Sequence, residues 1–246
     1  MNATLQQMQQ HRSIRRYQDK PVPAEVLDAV IKAAWHGPTS VNGQQVSLVV
    51  VQDEVRRQKI AELAGGQPWI AQAPVFITVV ADFYKTRLGV EQAGKQQVIH
   101  NSVEGFAVAA VDAGITLGNL MTAARAAGLG VVPIGGIRNN PAAMIDLLQL
   151  PELTFPLVGV AIGYAADEGD IKPRLPLASF AHPEHYHAAE LPAHIAAYDA
   201  ELSAYWQQLG RSDGEAWSSN TARYYQQVYF PNVAPVARQQ GFGFDQ

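Results

Sequence analysis

The 246-residue sequence predicts a layered domain of strands and helices. Three observations carry that reading. Two short β-branched runs, VSLVVV at Val46–Val51 and VFITVVA at 75–81, are separated by a charged helical pattern at 54–64, which reads as strand, helix, strand. A long stretch at 102–127 holds eight Ala together with Gly105, Gly114 and Gly118, the composition of a helix that neighbours approach closely on more than one side, including across a dimer. Further apolar runs at 131–134 and 157–162 bracket a helix that opens at Asn140-Pro141, a capping residue followed by the favoured first-turn proline.

Taken in order, residues 24–35 place Val26, Leu27, Val30, Ile31, Ala34 and Trp35 on one helical face, with Pro21 and Pro23 before them and Gly37 after. Beyond about residue 171 the pattern loosens into a loop rich in Pro and His, a helix at about 192–209 and a polar turn at 210–214. Trp217, Tyr224, Tyr225, Tyr229 and Phe230 are too many aromatics to leave in water, so this tail is expected to pack on a surface, its own or a partner's. With no repeat and no linker, 1–246 reads as one domain, of which about 177–246 form a peripheral loop, helix and arm.

Composition excludes several classes of function. Eighteen Lys and Arg against 22 Asp and Glu argue against a general nucleic-acid binder. The absence of Cys excludes disulfides, a thiol nucleophile and thiolate metal sites, so redox chemistry is open only through a bound cofactor. The apolar runs at 75–81 and 158–162 are too short to span a bilayer, and the first residues lack the apolar core of a signal peptide, so the cytoplasm is the expected location.

The densest chemical signal is His11-Arg12-Ser13-Ile14-Arg15-Arg16, which suits a phosphate through guanidinium and hydroxyl donors and suits a solvated basic turn equally. Lys172-Pro173-Arg174 is a second basic cluster, and the two could make a split anion site. The Gly65-Gly66-Gln67 and Gly135-Gly136 turns let a flat ligand approach backbone N–H groups, or are simple turns. Neither a GxGxxG fingerprint nor a P-loop nor Gly-x-Ser-x-Gly is present. His182, His185 and His187 lie in a Pro-rich loop without a helical i, i+4 pair, so no metal site is expected there.

HRSIR, the polar turn ending at Gln44, GGQ at 65–67, IGGIRNNP at 134–141 and IKPRLP at 171–176 occur in an order and spacing that resembles the nitroreductase family, in its NADPH-preferring, oxygen-insensitive branch of nitroreductases and flavin reductases. The match covers roughly 5–176 well and the tail in outline. The resemblance implies an α+β fold with a mixed, mainly antiparallel sheet flanked by helices, and a homodimer whose C-terminal arms wrap the partner. It also implies one non-covalent FMN per subunit interface.

Carried over, His11, Arg12, Ser13, Lys172 and Arg174 hold the FMN phosphate and nearby ribityl chain, and Arg15 sits toward the pyrimidine edge of the ring. Ser40, Gln44 and Gln67 bond the ribityl and isoalloxazine, and the backbone of Ile134, Gly135 and Gly136 faces the reactive nitrogen. The implied reaction is ping-pong: NADPH, with NADH as a second candidate donor, gives hydride to FMN, and a nitroaromatic, quinone or flavin then takes two electrons. Arg15 and Lys172 serve as electrostatic support, and no protein side chain is a catalytic group. A dedicated flavin reductase supplying a monooxygenase and a non-catalytic FMN-binding module are the alternatives.

Two stretches depart from the branch. Pro38-Thr39-Ser40-Val41-Asn42-Gly43 stands where a serine run and a bulky apolar residue are usual, which bears on substrate stacking. The loop that grips the NADPH 2′-phosphate is basic in the branch, while residues 209–215 offer Arg211 beside Asp213 and Glu215, so Arg211 is the expected NADPH contact.

Overall fold

A computed structural model describes residues 2–244. Helix α1 (Ala3–Gln9) is capped by the Asn2 side chain, which accepts from the Leu5 N–H at 3.0 Å. The amphipathic helix α2 (Ala24–Trp35) buries Leu27, Val30 and Ala34. Strand β1 (Val46–Val51) leads into α3 (Glu54–Leu63), started by Asp53, whose carboxylate accepts from the Arg56 N–H at 2.8 Å. Then come α4 (Pro68–Gln72), β2 (Val75–Asp82), α5 (Phe83–Gln92) and the long α6 (Val103–Ala126). Strand β3 (Gly130–Ile134) ends in a 3-10 turn (Gly135–Asn139). Helix α7 (Pro141–Leu148) opens with Asn140 as its cap and the predicted proline in its first turn. Strand β4 (Thr154–Gly163) closes the sheet, followed by α8 (Leu191–Gln208), α9 (Trp217–Tyr225) and α10 (Val233–Gln239).

The four strands lie in the order β1-β2-β4-β3. The α+β architecture holds, and every strand pairing among the described residues is antiparallel. Strand β2 is buried along its whole length because both faces are covered, which is why its sequence is apolar without alternation. On one face Leu27, Val30 and Ala34 of α2 and Leu120 and Ala124 of α6 pack on Val75, Ile77, Val131 and Ile162. On the other, Ile60, Ile70, Ile137 and Met144 pack on Phe76, Val132 and Ala161.

By length and composition α6 is apolar enough to cross a membrane, which the short sequence runs did not suggest. It serves as a core helix, with Ala109, Ala113, Leu120 and Ala124 buried and Asp112 buried at its middle. Much of its remaining surface is open, Val103 and Val111 included, so within one chain it is buried on one side only.

The chain falls into two compact units, Met1–Gly169 with Phe230–Gln246, and Asp170–Tyr229. Val236, Ala237 and Phe242 are buried in the first unit, in a cluster with Phe83 and Phe155, because the terminal aromatics complete a core that the strands leave open. The second unit has its own small core of Tyr198, Leu202 and Trp206, packed by Leu175, Tyr205 and Trp217. Helices α4, α5, α9 and α10 carry too few residues or too weak a period to stand out in the sequence.

Candidate cofactor site

The first unit assembles the two glycine turns into one structure. A Cβ built on Gly136 would lie 2.5 Å from the Ala64 carbonyl oxygen and 2.9 Å from Gln67 Nε2, so only glycine lets the turn after β3 close on the turn after α3. Gln67 is held there by donating to Ala64 O at 3.2 Å. Gly65 and Gly66 have φ of 91° and 74°, the left-handed region that other residues avoid. Arg15 joins this cluster from the N-terminal segment: its guanidinium carbon stands 5.6 Å from the centre of the Trp69 ring, two residues beyond Gln67. The indole Nε1 of Trp69 is buried without a hydrogen-bond partner among the described residues. Gln67, Arg15, Gly135, Gly136 and Trp69 thus form a glycine-floored patch with a cation and an unsatisfied donor beside it, a donor set suited to an anionic, planar, acceptor-rich ring.

Arg138 braces that patch. Its guanidinium lies over Gly135, donates to Leu157 O on β4, and stands 5.3 Å from the Phe230 ring centre. The motif IGGIR contains it, but nothing local in the sequence shows that its side chain folds back over the glycines.

His11, Arg12 and Ser13 lie between α1 and Ile14, half-buried. The backbone here is pinned: Ile14 N–H donates to Val131 O at 3.0 Å, and Ile14 packs so closely on Gly130 that a Cβ there would lie 2.8 Å from it. The structure gives Arg12 a partner apart from His11 and Ser13, an ion pair with Glu168. Tyr17, just beyond, donates its hydroxyl hydrogen to Ile14 O at 2.9 Å and Ala161 O at 3.1 Å, and burial pushes its phenol well above the ordinary range, partly offset by the charge of Arg15.

Ser40 and Gln44 sit at the other edge of the sheet. They belong to the turn before β1, whereas Gly135 and Gly136 follow β3, and three strand spacings, about 14 Å, separate those edge strands. Val41, Asn42 and Gln44 have φ of 46°, 55° and 51°, strained for residues with side chains. The turn is held by buried Asp112 of α6, which accepts from the Ser40 N–H at 3.0 Å and from the Gln45 side-chain amide, and by Thr39, whose hydroxyl accepts from the Gln44 N–H at 3.1 Å. Sequence reasoning missed Asp112, since an acid inside an alanine-rich helix carries no motif. Gln44, Asn42, Thr39 and Trp35 line one cavity of about 460 Å³ with Lys85. Trp35 is therefore on this edge and Trp69 on the other.

The second unit sets two of the remaining predicted cations, Lys172 and Arg211, against Trp206. Lys172 Nζ stands 4.8 Å and the Arg211 guanidinium carbon 4.7 Å from the centre of that ring. Arg211 is also engaged by Asp213 in a two-point pair, Nε to Oδ1 at 3.1 Å and Nη2 to Oδ2 at 2.9 Å. Arg174 donates to Lys172 O at 2.7 Å, and Tyr198 fixes the intervening residue by donating to Pro173 O at 2.8 Å. On their loop His182 and His185 each meet the His187 ring edge-on, with ring centres 5.9 and 4.4 Å away.

The model of the nitroreductase family matches residues 8–164, and that of the nitroreductase family C-terminal domain matches residues 172–245. The chain is 46% identical over 247 residues to a Bacillus subtilis protein named FMN reductase [NAD(P)H], covering 98% of each. The structure of NfrA2 from Bacillus megaterium superposes with a TM-score of 0.97 at 40% identity over 100% of both chains. That of the NADPH:FMN oxidoreductase from Vibrio harveyi, complexed with NAD+, gives 0.88 at 30% identity over 98% of each.

Proposed function

Because this chain belongs to the nitroreductase family, we propose on its residues a site for FMN in an NAD(P)H-dependent oxidoreductase that reduces flavins, nitroaromatics and quinones. When bound, FMN supplies two-electron transfer between nicotinamide and oxidant. The observation that carries the assignment is the closed contact of Gly136 with Ala64 and Gln67, with Arg15 and the unsatisfied Trp69 indole beside it.

In this reading the Ile134–Gly136 backbone lies against the ring and Gln67 offers its amide to a ring heteroatom. Arg15 supports negative charge on the pyrimidine side. His11 and Ser13 are assigned to the phosphate, and Lys172 and Arg174 carry an anion-binding motif of their own. The protein needs no nucleophile: its side chains bind and orient, and the cofactor carries the electrons.

Ser40 and Gln44 are assigned to the same cofactor from a second subunit. Their place on the far sheet edge from Gly136 supports a homodimer in which each chain contributes one edge to each site, and the open apolar side of α6 offers the surface for it. Both nicotinamides are expected as donors, because Arg211 is already paired with Asp213 and a 2′-phosphate must compete for it. We place the activity in the cytoplasm, where reduced nicotinamide is available.

The test is the visible spectrum of the purified protein, followed by anaerobic addition of NADPH and, separately, NADH. Flavin bands that bleach with either donor, and return with quinone or free FMN, are expected. A colourless protein that FMN cannot reconstitute overturns the reading.

A further inference from the structure

Residues 16–18 run beside the segment that follows β4, joined to it by one isolated bridge. Tyr17 bridges Ala165 in antiparallel fashion, flanked by Gln18 N–H to Tyr164 O at 2.9 Å and Ala166 N–H to Arg16 O at 2.9 Å. Two ion pairs continue this seam, Arg16 with Asp167 at 3.1 Å and Arg12 with Glu168. The Arg12 side chain is 24% exposed and that of Glu168 is 83% exposed, so a half-enclosed cation is capped by a carboxylate reaching in from solvent.

Arg12 and Ile14 line the same cavity, about 250 Å³, together with Arg125 and the backbone at Gly128 and Gly130. Arg15 instead turns to Trp69. The cluster HRSIRR therefore does not converge on one anion: its even-numbered members face Glu168, Asp167 and the β3 side, and Arg15 faces the glycine turns. Arg125 donates to Gln10 O at 3.2 Å, which holds the far end of the segment, and its own proton affinity is lowered by burial and by the charge of Arg12. Glu168 thus balances a site where two guanidinium groups oppose each other.

We propose that Arg12 is a positioning residue that grips Glu168 and so presents His11, Ser13 and Arg15 to the cofactor, and that it is not itself a phosphate ligand. This rests on the FMN reading above. It reverses the sign expected for Glu168. A phosphate-binding Arg12 would be obstructed by the acid, and removing the acid would tighten FMN. A positioning Arg12 needs the acid, and removing it loosens FMN.

The experiment is FMN titration of apo-protein by flavin fluorescence quenching, for wild type, Glu168→Gln, Arg12→Ala, the double variant Arg12→Ala/Glu168→Gln and the charge swap Arg12→Glu/Glu168→Arg. Wild type that binds no FMN defeats the cofactor reading itself, separately from this inference. With wild-type binding in hand, Glu168→Gln is expected to weaken FMN about three- to fivefold, as an exposed ion pair contributes. The double variant should bind no more weakly than Arg12→Ala, and the swap should come back to within about twofold of wild type. Unchanged or tighter binding in Glu168→Gln overturns the proposal, as does a folded swap no better than Arg12→Ala. Since Glu168 lies on the surface, Glu168→Gln and the double variant decide the matter if the swap does not fold.

Discussion

Gly136 and Gln67 occupy the space of one missing methyl group: a Cβ on the glycine would stand 2.9 Å from the amide nitrogen of the glutamine and 2.5 Å from the Ala64 carbonyl oxygen. Side chain can yield, but backbone oxygen cannot without moving α3. Gly136→Ala is therefore expected to cost about 1–3 kcal/mol of stability and to weaken FMN binding by opening the joined turns. Truncating Gln67 to Ala in the same chain should not restore either quantity. Recovery of the thermal midpoint in that double variant would show that Gln67, rather than Ala64, sets the constraint.

Asp112 holds a strained turn 72 positions away in sequence by accepting from Ser40, and it accepts from Gln45 as well. Removing it strands the buried side-chain amide of Gln45 and the part-buried Ser40 N–H, and leaves Val41, Asn42 and Gln44 without the restraint that supports their positive φ. Asp112→Ala should cost about 1.5–3 kcal/mol or more in urea unfolding and raise amide exchange at Ser40 selectively. Unchanged exchange at Ser40 would sever the link between helix and turn.

Tyr17 makes the protein sensitive to alkali. Burial raises its phenol above the ordinary value near 10, so the folded state keeps the proton that the unfolded chain releases. Its contribution is complete below about pH 10 and is lost as pH climbs toward the folded value. Tyr17→Phe should lower stability by about 0.5–1.5 kcal/mol at neutral pH, through the hydroxyl's bonds to Ile14 and Ala161, and should flatten the decline above about pH 10. Urea midpoints from about pH 8 to about pH 11 measure both effects, and an equally steep alkaline limb in the variant would assign that limb to other groups.

Arg211 and Asp213 set the donor preference if Arg211 meets the 2′-phosphate. Arg211→Ala should raise the KM for NADPH about tenfold, the loss of one charge-assisted contact, with NADH unaffected. Asp213→Ala, which frees the guanidinium, should lower the KM for NADPH and again leave NADH unchanged. Parallel shifts for both nicotinamides would move the role of Arg211 from phosphate recognition to packing on Trp206.

What the sequence determined by itself is local and periodic: β1 and β2 from β-branched runs, α2 from its apolar face, α7 from Asn140-Pro141, and the glycines and cations of the site from their motifs. Each is specified by residues a few positions apart, within reach of steric and hydrogen-bond rules that act along the chain. Which of these meet depends on the folded chain. The order β1-β2-β4-β3 puts Gln44 and Gly136 on opposite edges, although both belong to the same motif set. Arg12 and Arg15, three residues apart in one basic cluster, part to Glu168 and Trp69. Asp112, silent in its alanine-rich helix, becomes the anchor of the Ser40 turn. Those outcomes depend on strand pairing and side-chain direction between residues distant in sequence, where the energy of a contact exists only once the rest of the fold has brought its partner into place.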